Sequence, residues 1–98
     1  MELLKNQTID TTGSQDTEKW KGGKGTVLCE GTFDGATVSL EASYDDGEWV
    51  PCGADTSFTE AGLILLELSS GFILRGSVSS AGGSTDVSLT VIVSHYED

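Results

Sequence analysis

The sequence predicts an all-β domain, an antiparallel sandwich or barrel of seven or eight short strands behind an extended N-terminal arm. Three observations carry this. Apolar and polar residues alternate with period two along most of residues 25–96, Gly, Asp and Ser clusters interrupt that alternation every 8 to 12 residues or so, and no 11-residue window carries a helical stripe.

Residues 1–24 read as arm and linker, and residues 25–98 as the β-sandwich domain. In the arm, Leu3 to Ile9 is extended and apolar enough to lie on another surface. The polar stretch DTTGSQDTEKWKGGK follows, long for a loop in a compact domain, with Trp20 inside it. Val27, Cys29, Gly31 and Phe33 share one face of the first strand. Ala36, Val38, Leu40, Ala42 and Tyr44 alternate with Thr37, Ser39, Glu41 and Ser43 in the second. Asp34-Gly35 supplies the positive φ angles of a tight turn, so a hairpin is expected there. A second hairpin turns at Asp45-Asp46-Gly47 and returns through Trp49 to Cys52, with Pro51 placing that strand at an edge or end. Phe58, Leu63 to Leu68, Phe72 to Val78 and Asp86 to Tyr96 supply the rest, Val87, Leu89, Val91 and Val93 facing the core.

A chain of 98 residues suffices for one core. Five basic residues stand against 16 acidic ones, a net charge of −11, which repels phosphate backbones and anionic lipid and argues against nucleic-acid or membrane partners. The charge is uneven. Four lysines balance four acids in residues 1–24, whereas residues 25–98 hold twelve acids against Arg75 alone. The first ten residues show no secretory pattern, the longest uninterrupted apolar run, Leu63 to Leu66, is far too short to span a bilayer, and a soluble protein is expected.

Little in the sequence resembles catalytic or metal chemistry. Asp45, Asp46 and Glu48 could offer oxygens to Ca²⁺, but they lack the spaced acidic run of a calcium loop, and a solvated hairpin turn explains them. Cys29, Cys52 and His95 are too few and too far apart for a zinc site; the cysteines read as thiols in the core, with a disulfide left open. The lone His95 has no partner at triad spacing, and Glu30 and Glu41 imitate a glycosidase pair without a cleft. Gly22-Gly23-Lys24-Gly25 reads as a hinge rather than a phosphate loop. No cofactor is implied, and the chain is not expected to be an enzyme. Trp49 and Trp20, with Phe72, Tyr44 and Tyr96, could form a sugar-stacking platform, though Trp49 is better placed to close one end of the sandwich.

The run GATVSLEAS, then DDGEWVPCG, a strand ending Glu67-Leu68, the segment SGFILR, a Gly-rich turn and a Val-rich last strand resembles the small capsid decoration, or cement, proteins of tailed bacteriophages. The resemblance covers residues 25–96 and implies a jelly-roll body. It implies a virion structural protein made in the host cytoplasm, bound as a homotrimer to the major capsid protein on the outer capsid, and clamping the shell. On that reading Leu3, Leu4, Ile9, Lys19, Trp20 and Lys21 of the arm contact the capsid or a neighbouring protomer. The alternative is a carbohydrate-binding or tail- and fibre-associated β-sandwich module.

Overall fold

The computed structural model describes residues 2–11, 18–45, 47–52 and 57–95. Among them are nine strands and no helix. In chain order these are β1 (Glu2–Gln7), β2 (Glu18–Lys19), β3 (Gly23–Thr32), β4 (Thr37–Tyr44), β5 (Val50–Pro51), β6 (Ser57–Phe58), β7 (Gly62–Leu68), β8 (Phe72–Ser79) and β9 (Asp86–His95). Every pairing is antiparallel.

The first sheet runs β1-β9-β3-β7 and the second β2-β8-β4-β5, with β6 also on β4. The pairings nest. The first strand lies against the last, β2 against β8, β3 against β7, and β4 against β5 and β6. A long antiparallel ribbon rolled on itself gives this order, so the β-sandwich is jelly-roll-like, as the sequence leads one to expect. Alternation fills the gap between the sheets: Val27 and Cys29 of β3, Val38, Leu40 and Ala42 of β4, Leu74 and Val78 of β8, and Val87, Leu89 and Val91 of β9 are all buried.

Two expectations change. Asp34-Gly35 does form a tight turn, with φ of 47° and 87° and the Ala36 amide donating to the Phe33 carbonyl at 2.9 Å. However, β3 and β4 belong to different sheets, so the turn is a corner and not a hairpin. Neighbouring groups hold it open: the Ser84 amide donates to Asp34 Oδ2 at 2.8 Å, and the Thr85 hydroxyl, itself buried, donates to the Phe33 carbonyl at 2.7 Å. The β3–β4 corner is thereby stitched to the β8–β9 corner. The second hairpin forms as expected, β5 pairing Val50 with Ala42 and Pro51 with Glu41 at the sheet edge.

The second change concerns the arm. Its described residues are strands of the sandwich: β1 is an edge of the first sheet, β2 is an edge of the second, and Thr11 bridges Val78 through two backbone bonds of 3.0 and 3.1 Å. Irregular register between Glu2 and Leu4 and again between Leu4 and Gln7 breaks the alternation, so the adjacent Leu3 and Leu4 are both buried. Residues 12–17, within the expected linker, lie outside the described residues.

Candidate functional site

The residues first assigned to a partner divide into two groups. Leu3, Leu4 and Trp20 are buried in the chain's own core, which removes them from any external contact surface. Ile9 is 67 % exposed, and Lys19 and Lys21 are exposed.

Trp20 is fully buried. Its backbone amide donates to the Phe72 carbonyl at 2.8 Å and its indole Nε1–H to the Leu68 carbonyl at 3.0 Å, so backbone and ring together hold both strands flanking the β7–β8 turn. The glycine run at the start of β3 makes room for it. A Cβ on Gly25 would lie 3.2 Å from the Trp20 ring and 2.7 Å from the Ile92 carbonyl. Trp20, not Trp49, closes this end of the sandwich.

Trp49 lies instead on the outer face of the second sheet, half-buried, with the Arg75 guanidinium 4.3 Å from its ring centre. Arg75 Nε donates to Glu41 Oε1 at 2.8 Å across the β4–β8 pair, and the Ser77 hydroxyl donates to the same oxygen at 2.7 Å. Burial alone would raise Glu41, but the hydrogen bonds from Ser77 and Arg75 and the arginine's charge outweigh it and hold the carboxyl below its ordinary 4.5. A lowered folded pKa favours the ionised, folded form, so this stabilisation is complete above about pH 4.5 and lost as pH falls through the depressed value. Denaturant midpoints followed from about pH 7 into the acid range should fall less steeply for Glu41→Gln than for the parent.

The other singled-out groups separate. Glu30 and Glu41 sit on different sheets and point to opposite outer faces. Burial, with Glu30 adding, pushes the Cys29 thiol up to about 12, and burial, with Glu41 adding, pushes Cys52 up to about 11. Both are free, neutral thiols at neutral pH, with none of the lowered pKa of a nucleophile. Asp45 and Glu48 are exposed in a turn closed by the Gly47 amide donating to the Tyr44 carbonyl at 2.9 Å; Asp46 lies outside the described residues. Among the described residues no three His, Cys, Asp or Glu side chains gather as a metal set. Tyr44 packs on Phe72 at 5.2 Å between ring centres, away from the Trp49–Arg75 stack, and Tyr96 lies outside the described residues.

What the sequence reading missed is the outer face of the first sheet. There β7, β3 and β9 set side by side two rows of outward residues: Leu65, Thr26 and Ile92, then Leu63, Leu28 and Thr90. Leu65 is 86 % exposed, Leu63 64 % and Ile92 51 %. A shallow depression of about 250 Å³ opens beside Leu65 and Leu66, lined also by Lys24, Gly25 and Glu67. Carboxylates rim the face, Glu30 and Asp86 beyond one end and Glu67 at the other, with Lys24 3.6 Å from Glu67 as the cation of the rim. The outer face of the second sheet is polar by contrast, carrying Ser39, Glu41, Arg75 and Ser77. A signal was available: Val27-Leu28-Cys29, Leu63 to Leu66 and Val91-Ile92-Val93 are apolar at both parities, the pattern of strands covered on both faces.

Comparison of the chain with family models, with curated proteins and with solved structures finds no match.

Proposed function

We propose that this chain is a non-enzymatic structural module that docks through the outer face of its first sheet onto a larger assembly. The specific form of the reading is a decoration protein on the outer capsid of a tailed bacteriophage, with the major capsid protein as partner. The observation that carries it is the exposed cluster of Leu63, Leu65 and Ile92, with the half-buried Leu28 beside Leu63, on one face of an otherwise strongly acidic molecule. Contiguous exposed apolar surface of this kind marks interaction sites on soluble domains. Each such side chain, once covered, contributes about 1.5 to 3 kcal/mol of burial before the costs of association are counted. The acidic rim adds a preference: it fits a partner surface that presents apolar residues ringed by lysine or arginine. The jelly-roll-like strand order and the resemblance support the virion version of the reading.

A glycan-binding module is the second reading, favoured by Trp49, which lies on the polar face of the second sheet beside Arg75, Glu41 and Ser77. One paired experiment separates the two. The purified chain is co-sedimented with DNA-filled heads of tailed bacteriophages and run on a glycan array. Capsid decoration expects sedimentation with heads and a blank array. Array binding lost on Trp49→Ala, with no head binding, overturns it in favour of the glycan.

A further inference from the structure

We infer that the β7 edge is a self-association edge, through which two copies of this chain pair antiparallel about a two-fold axis at Leu65. The inference rests on the sheet edges and stands apart from the docking reading above.

A sheet edge offers unpaired backbone N–H and C=O groups to any extended chain, and folded proteins blunt such edges with bulges, short strands, proline or charge. Three of the four edges here are blunted. β1 carries two register irregularities, an exposed Lys5 and a left-handed Asn6 at φ 48°. On the second sheet β2 is two residues long, and the opposite edge is broken into two-residue pieces, β5 with its Pro51 and β6. β7 has none of these devices. It runs seven residues in unbroken register against β3, contains no proline, and among the described residues has no strand on its other side. Its one charged residue, Glu67, is already paired with Lys24.

The sequence of β7 suits a copy of itself. Pairing all seven residues, Gly62 opposite Leu68, fixes the axis at Leu65 and keeps the parity of both strands. Leu65 then meets Leu65 of the second copy on the outer face, and Ile64 meets Leu66 on the inner side. The two exposed leucine clusters merge into one apolar face across an eight-stranded sheet. No like charges are brought directly opposite each other, since Glu67 falls opposite Leu63. Identical edges close as a two-fold, and a cyclic trimer would require β7 to meet a different edge. The other three edges are the blunted ones, so the structure favours two copies over the three that the family resemblance implies.

The test uses the full chain. Sedimentation velocity over a concentration series is expected to show a monomer–dimer equilibrium that strengthens with added salt, because each copy carries a net charge of −11. Leu65→Lys should weaken the dimer by about tenfold or more. Leu65→Cys should be trapped as a disulfide dimer on air oxidation, since residues opposite one another across an antiparallel pair have Cα atoms about 4.5 to 5.5 Å apart, within disulfide reach. Leu63→Cys, displaced along the strand from its copy, should stay uncrosslinked. A monomer at every concentration, a trimer, or a dimer trapped at position 63 rather than 65 overturns the inference. Ile92→Lys, two strands from the axis, should remove head binding and leave the dimer, so the two proposals fail separately.

Discussion

Trp20→Ala is expected to cost about 3 to 5 kcal/mol of folding stability, the range for removing a large aromatic from a packed interior. The residue is fully buried, and its loss would empty the end of the sandwich where the β7–β8 turn closes. It would also leave the Leu68 carbonyl without its indole donor. Set against a total stability of about 5 to 15 kcal/mol, that is a large fraction, and thermal unfolding should drop by roughly 12 °C or more. Trp20→Phe separates the two contributions. It keeps most of the packing and loses only the hydrogen bond, so a cost of about 1 kcal/mol is expected beyond the small change in volume. Circular dichroism melts of the three proteins measure both. A Trp20→Ala melt within a few degrees of the parent would mean that Trp20 is not the closing residue.

Gly31→Ala is the second large expected effect. Gly31 sits at φ 124°, a conformation that side chains rarely adopt, and a Cβ there would run into the Asp86 backbone carbonyl on the paired strand β9. The obstacle is main chain within the central β3–β9 pair, so it cannot swing aside as a flexible side chain would. Backbone strain of about 1 to 3 kcal/mol is expected from the φ angle alone, and separating the strands adds to it. Denaturant unfolding should show a midpoint well below the parent, whereas Gly83→Ala, in open space, should change little. Equal midpoints for the two variants would contradict this account of β3.

These residues also show how much the sequence discloses. Regular period two in Thr37 to Ala42 and Asp86 to Val93 is enough to assign both strands and their core faces, because one side chain in two must leave water; at the end of β4 the alternation breaks, with Ser43 buried and Tyr44 exposed against the expected core face. Asp34-Gly35 discloses a turn but not its partner strands: the same positive φ angles serve a hairpin and a corner, and the difference lies in bonds to Ser84 and Thr85, some 50 residues away. Leu3 and Leu4 look like an arm because irregular register hides the alternation, and β2 is too short to have any. Trp20 gives no periodic signal either; its burial depends on Gly25 leaving space across the sandwich. The exposed apolar face was legible in principle, since three strands carry apolar residues at both parities, but which strands are neighbours is fixed only by the nested pairing. Sequence reading therefore placed the candidate contact in residues 1–24, whereas the contact we propose lies on the outer face of β7, β3 and β9.

Paired variants in the head co-sedimentation assay distinguish the β7, β3 and β9 face from the N-terminal segment. Leu28→Ser with Ile92→Ser removes apolar contact from the face, and Lys19→Glu with Lys21→Glu reverses two exposed charges of the former arm. The first pair is expected to abolish sedimentation with heads, and the second to leave it close to the parent. Head binding that survives the serine pair and disappears with the glutamate pair would return the contact to the N-terminal segment and rule out docking through the first sheet.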